Sequence, residues 1–304
     1  MTDDRFEVPP MPYAYLHKAK LDHQLSPSLS AKDASGVILA WQVETEKARR
    51  HPNIKASLDV PYGPAAAQKL DIYSPIEGET ASGRPIVLFI HGGFWQGGSK
   101  DASGFAAPAF TEAGCVFVAV GYTLAPNASL AAIAAEIRQA VNFVHAHAAE
   151  FGGDPRQIIA VGHSAGGHLA TCLVTQGTPI DHARRIAGVV AISGVFDLEP
   201  IRLSYVNDAM KLSSDEIATL SPASSIPAFD VPVMLVVGAD ETHEFLRQTD
   251  VLSKKWRSHL RDLEVALIPG RDHFDIVSDL AGPSSRLFQI VHKLATERRQ
   301  DASR

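Results

Sequence analysis

Two cysteines in 304 residues exclude a disulfide framework. Cys115 and Cys172 each lie in an apolar run, CVFVAV and ATCLV, the usual setting of a buried free thiol. The 28 basic and 34 acidic residues give a net charge of −6, and no Lys/Arg cluster supplies the basic footprint of a nucleic-acid binder. Nowhere does an apolar run approach the roughly 20 residues that a membrane-spanning helix needs. The N-terminal MTDDRFEVPPMPY is acidic and proline-rich, without the basic-then-apolar order of a secretory signal, so a cytoplasmic location is expected by default. The partner expected is a small-molecule substrate, with neither nucleic acid nor membrane, and a homodimer is left open.

What the sequence does contain, from Lys69 onward, is an alternation. Short β-branched and apolar runs recur: KLDIY, PIVLFIHGG, CVFVAVGY, QIIAVGHS, RIAGVVAISG, VPVMLVVGAD and LEVALIPG. Runs this apolar suit strands covered on both faces of a parallel sheet. Longer segments with helical spacing lie between most of them. The clearest follows Asn127, where Ile133, Ile137, Val141 and Val144 form one apolar stripe. Gly152 and Gly153 are expected to end it, with Asp154-Pro155 turning into the next strand. The pattern predicts an open α/β sheet with right-handed crossovers in a single domain over 1–304. Two stretches break the rhythm and are expected to cap the strand ends: residues 1–60, containing a helix in AKDASGVILAWQVETEKARRH, and an insertion at 201–227.

The chemistry is concentrated in QIIAVGHSAGGHLATCLV. Gly162-His163-Ser164-Ala165-Gly166 is a G-x-S-x-G pattern between a strand and a helix rich in small residues. That context is what a nucleophile elbow requires: a sharp turn that lifts the serine hydroxyl above the sheet, with glycines where a Cβ would clash. A tetrahedral intermediate also needs preorganised N–H donors. The strand PIVLFI runs into His91-Gly92-Gly93-Phe94-Trp95, so Gly92 and Gly93, with Ala165 after the nucleophile, are the candidate oxyanion donors. Phe94 and Trp95 are expected to line the substrate pocket, and His91 to be structural.

A hydroxyl needs a base beside it. In the α/β-hydrolase fold, to which this elbow points, the acid and then the histidine follow the nucleophile on late strands. Of the 13 histidines, His273 alone sits in a polar loop after the last predicted strand, and it is the expected base. His145 and His147 lie two apart on a helix and face different sides, a poor metal pair. No metal or other cofactor is expected. For the acid, Asp240 and Glu241 stand side by side after a strand, and spacing alone does not choose between them. A non-catalytic binding module on this fold would lack one of these roles, whereas here each is filled.

These motifs together resemble the kynurenine formamidases (arylformamidases) and their bacterial esterase relatives. HGGFW, GHSAGGHLA, ADETHEFLRQ and RDHFDIV carry the resemblance, and LDHQLSPS, YGPAAAQKLDIY, GYTLAP, SGVFDLEPI and YVNDAMKL extend it from about Leu21 to the last helix. In such proteins the acid precedes a small polar residue, any residue, and Glu-Phe-x-Arg-Gln. Glu244-Phe245 and Arg247-Gln248 match that anchor, so the resemblance implies Glu241 as the acid, where aspartate is commoner. Leu25 stands where the family usually has tyrosine, a departure that bears on substrate rather than on chemistry. The resemblance implies a Ser–acid–His hydrolase of a small aryl formamide or ester, with carboxylesterase or amidase action on another small substrate as the alternative.

Overall fold

The computed structural model describes residues 17–76, 83–179 and 183–297. Eight strands form one sheet: β1 (Ile54–Pro61), β2 (Lys69–Pro75), β3 (Arg84–Ile90), β4 (Val116–Val120), β5 (Gly153–His163), β6 (Gly188–Ile192), β7 (Val233–Gly238) and β8 (Leu263–Ile268). Their spatial order is β1-β2-β4-β3-β5-β6-β7-β8. The β1–β2 and β2–β4 pairings are antiparallel, and all the others are parallel. The seven apolar runs read from the sequence are β2 to β8. This is the mostly parallel, helix-flanked sheet of an α/β-hydrolase.

Side-chain alternation divides the core in two, as period-2 strands buried on both faces must. Leu88, Ile90, Val118, Ala160, Val189 and Val237 face one layer of helices. Val87, Phe89, Phe117, Ile159, Val161 and Val236 face the other. On the first side lies helix Leu130–His147, opened by the Ser129 hydroxyl accepting from Ala132 N–H. Its predicted stripe, Ile133, Ile137, Val141 and Val144, is buried. On the second side helix Arg286–Thr296 packs through Leu287, Phe288 and Val291.

One boundary differs from expectation. Asp154-Pro155 is not a turn before β5 but part of it, since Gly153 already pairs with Arg84. The register shifts between that pair and Ile86–Ile158, and Pro155, with no N–H to donate, falls in the irregular stretch.

Over the carboxyl ends of the strands the 201–227 segment meets the described part of the N-terminal segment from His17 on; of the expected cap 1–60, residues 54–60 belong instead to β1, and 1–16 lie outside the described residues. The 201–227 stretch belongs to a run of short helices, Glu199–Leu203, Asn207–Met210 and Ser214–Leu220. From it the Tyr205 backbone N–H donates to Asp22 and the Tyr205 hydroxyl to Leu25 O. Helix Ala34–Arg49, capped by Asp33, lies alongside, its Trp41 indole N–H donating to Ser278 Oγ at 3.0 Å. No helix among the described residues is long and apolar enough to cross a membrane.

Candidate active site

The parallel register brings the ends of β3, β5, β6, β7 and β8 to one edge of the sheet, and each exit contributes to the site. β5 ends at His163, and a helix, Ala165–Cys172, begins two residues later. Ser164, between them, has φ 54° and ψ −118°. So tight a turn demands glycine on both sides. A Cβ on Gly162 would stand 2.0 Å from Gly166 O, and one on Gly166 would stand 2.0 Å from Ile90 O. The Ser164 N–H donates to Ile192 O at 2.8 Å and its carbonyl accepts from His168 N–H at 3.1 Å, so the strained backbone is anchored from both sides.

The loop after β3 lies directly against this turn. A Cβ on Gly92 would come within 2.9 Å of both His163 O and Ser164 Cβ, so only glycine lets this backbone reach the serine. Gly93 has φ 110°, and its carbonyl accepts from Gln96 and Gly97 N–H. Phe94 and Trp95 then follow at φ 48° and 59°. Phe94 keeps part of its surface, with its ring 6.5 Å from that of Phe245. Trp95 departs from expectation: it is fully buried, edge-on to His168 at 5.0 Å, and belongs to the core rather than to a pocket wall.

The two adjacent carboxylates part company. Glu241 is buried and its Oε2 accepts from His273 Nδ1 at 2.7 Å. Its other oxygen, Oε1, accepts from Ser193 Oγ at 2.5 Å and Gly238 N–H at 2.7 Å. Asp240 instead turns outward to Lys32 Nζ at 3.1 Å, with both side chains substantially exposed. Its backbone N–H is fixed to Arg271 O, which sets the direction of the turn. Glu241 therefore meets the histidine, and Asp240 does not.

His273 is 3% exposed. With its Nδ1–H held by a carboxylate, Nε2 carries the lone pair, the tautomer a general base needs. Its backbone carbonyl accepts from His163 Nε2 at 2.8 Å. Burial first, and the neighbouring His273 imidazole after it, push His163 well below the usual histidine range, so His163 stays neutral as it braces the loop. His91 and His168 are likewise pushed down to about 4 by burial, opposed by hydrogen bonds to Gly92 O and Leu220 O. Cys115 and Cys172 are free and buried, and burial pushes both thiols up to about 12.

Several residues at the site have structural roles that their sequence motifs do not state. Phe245 puts its ring 4.2 Å from the His273 ring. Asp272, beside His273, accepts from Phe274 and Asp275 N–H through Oδ1 and from Lys32 N–H through Oδ2, pinning the histidine loop to the N-terminal segment. The Glu-Phe-x-Arg-Gln run acts as a staple. Gln248 Oε1 accepts from Phe196 and Asp197 N–H, while Arg247 pairs with Glu244 and Asp197. Together they tie the exit of β6 to the helix that follows Glu241. Among the described residues no three His, Cys, Asp or Glu side chains gather as metal ligands. A cavity of about 720 Å³, lined by residues such as Arg156, Met234, Glu264 and Arg286, lies near the opposite strand ends and contains none of the site residues.

A strained serine, a histidine held by a buried carboxylate and a glycine loop against the serine form an arrangement suited to nucleophilic acyl transfer. Comparison with known proteins agrees in kind. Residues 70–256 match the BD-FAE family model. The chain is 32% identical to the kynurenine formamidase of Salmo salar over 293 residues, covering 92% of this chain and 97% of that one. Among solved structures, a putative thioesterase from Silicibacter sp. TM1040 superposes with a TM-score of 0.78 at 28% identity, over 91% of this chain and 99% of that one. Esterase B from Lactobacillus rhamnosis shares the fold with a TM-score of 0.69 at 17% identity, over 91% and 96%.

Proposed function

Since the chain belongs to the kynurenine formamidase-like α/β-hydrolases, and is a hydrolase of amide or ester bonds, we propose that it cleaves a small aryl formamide through a Ser164–His273–Glu241 triad. The observation that carries the mechanism is the 2.7 Å bond between Glu241 Oε2 and His273 Nδ1, at the strand edge where Ser164 stands in its strained turn. His273 Nε2 takes the Ser164 proton as the hydroxyl attacks the formyl carbon. Glu241 stabilises the imidazolium that forms. The backbone N–H of Ala165 and those of Gly92 and Gly93 receive the oxyanion. The imidazolium then protonates the departing arylamine, leaving a formyl ester on Ser164. Water, deprotonated by the same histidine, releases formate and restores the serine.

Support for an aryl substrate comes from the rings around the base. Phe94 and Phe274 both keep part of their surface, and Phe274 stands 5.4 Å from the His273 ring. A second reading, hydrolysis of a small carboxylic or thioester, is favoured by the structural likeness to a putative thioesterase. Steady-state hydrolysis of N-formylkynurenine beside p-nitrophenyl acetate separates them. The formamide reading expects kcat/KM of about 10⁴ M⁻¹s⁻¹ or more on N-formylkynurenine. Ester cleavage with negligible formamide cleavage refutes that reading and leaves the esterase one.

A further inference from the structure

We propose that Ser193 is a positioning residue of the catalytic machinery: its hydroxyl aims the Glu241 carboxylate at His273. The proposal rests on the triad reading above and extends it by one residue.

Three observations carry it. First, Glu241 Oε1 has two donors, Ser193 Oγ at 2.5 Å and Gly238 N–H at 2.7 Å, while Oε2 takes His273 Nδ1 at 2.7 Å. A glutamate side chain has one more rotatable bond than an aspartate, so its carboxylate needs more fixing to hold one orientation. The Gly238 amide fixes the distance of Oε1 from the strand end. A second donor from another strand is what prevents rotation about that single contact.

Second, Ser193 has φ 51°, a conformation that a residue with a Cβ adopts only at a cost. It follows the last residue of β6, its N–H donates to Val236 O, and it is fully buried. Four of the six non-glycine residues with positive φ in the described chain are Phe94, Trp95, Ser164 and Ser193, all at the site. Glycine would adopt this backbone freely, and glycine is the very next residue. A serine kept where glycine is cheaper points to work done by the hydroxyl.

Third, the surrounding chain immobilises this turn. Gln248 Oε1 holds Phe196 and Asp197 N–H, and Gln248 Nε2 donates to Asp197 O and to Glu244 Oε1. The β6 exit that carries Ser193 is thereby bound to the same helix that Glu241 precedes. These bonds hold the hydroxyl and the carboxylate in one frame.

The test compares Ser193→Ala with Ser193→Gly, on p-nitrophenyl acetate and N-formylkynurenine, with thermal unfolding measured alongside. Misplacing a triad member costs up to about a hundredfold, and with the Gly238 bond retained kcat should fall about tenfold, KM remaining within twofold. Both variants should lose the same factor, although glycine relieves the backbone and should melt no lower than alanine. In an Glu241→Ala background the further Ser193→Ala change should cost less than twofold, because nothing remains to be aimed. Either single variant within twofold of the parent kcat overturns the proposal, as does an undiminished tenfold loss in the Glu241→Ala background. Ser164→Ala distinguishes the two levels: if it matches the parent, the triad reading fails and this one with it; if it is inactive while Ser193→Ala is fully active, this one alone fails.

Discussion

Replacing Glu241 by glutamine should silence the enzyme almost without moving an atom. Two donors, Ser193 Oγ and Gly238 N–H, face Oε1. The glutamine carbonyl oxygen must occupy that position, which sends the amide NH₂ toward His273 Nδ1. A donor then faces a donor. The imidazole can escape only by giving up the Nδ1 proton and carrying it on Nε2, where the lone pair that should receive the Ser164 proton is lost. The corresponding tautomer error in a Ser-His-Asp site costs about 10⁴ in kcat, or about 5 kcal/mol of barrier. Asp240→Asn is the control. Its Lys32 partner is 61% exposed and its own side chain 45%, so it changes only a screened surface pair. Initial rates on p-nitrophenyl acetate, with far-ultraviolet circular dichroism to confirm folding, should show a loss of three to four orders of magnitude for Glu241→Gln and less than twofold for Asp240→Asn. If Asp240→Asn loses more than Glu241→Gln, the assignment of the acid and the tautomer argument are both wrong.

Gly166→Ala should not yield a soluble native protein, since its Cβ would lie 2.0 Å from Ile90 O and 2.7 Å from His91 O, both backbone atoms; native-like melting of that variant would contradict the packing of the elbow. Asp71 is fully buried and receives Lys100 Nζ, Arg49 Nη2 and Asp59 N–H, each at 2.9 Å. Asp71→Asn removes the one fully buried carboxylate of this cluster, while Lys100 keeps Asp59 and Asp101 and Arg49 keeps Asp101 and Glu46, and should cost about 1.5 kcal/mol; an unchanged denaturant midpoint would refute this. Acid should destabilise the fold through its buried histidines. Folding holds His91 and His168 at about 4, below the 6.5 of an exposed imidazole, so they bind protons more readily when unfolded. Their contribution is complete above about pH 6.5 and is lost as pH falls toward 4, by about 3 kcal/mol each. Denaturant melts at pH 7.5 and 5 should separate accordingly, and a midpoint flat across that interval would contradict the neutral, buried assignment.

The strands and the elbow were legible because their causes are local. An apolar run of five or six residues becomes a buried strand, and Gly162 removes a Cβ that would strike Gly166 only four residues on. What escaped depends on contacts between distant segments. Asp240 and Glu241 are equivalent in sequence, and they were separated only by the Arg271 carbonyl that fixes the Asp240 N–H and by the Ser193 and Gly238 donors. The resemblance to a family favoured Glu241, whereas spacing alone could not. Trp95 follows the glycine loop as a pocket residue would, but the fold packs it edge-on against His168 in the core. Ser193 opens SGVFDLEPI, a run that extends the resemblance without assigning the serine a role, and Lys32 reaches Asp272 across 240 residues, so no window along the chain reveals either contact. His163 is legible only as the residue before the nucleophile; its hydrogen bond to the His273 carbonyl, which braces the histidine loop, comes from the fold.

The most direct test of the central claim is to trap the acyl-enzyme. The protein would be mixed with excess p-nitrophenyl acetate, quenched in acid within milliseconds, digested and analysed by mass spectrometry. The predicted result is one acetyl group on the peptide carrying Ser164, formed in a burst of p-nitrophenol equal to the enzyme concentration and absent from Ser164→Ala. Label on any other residue, or turnover by Ser164→Ala within about tenfold of the parent, would contradict Ser164 as nucleophile.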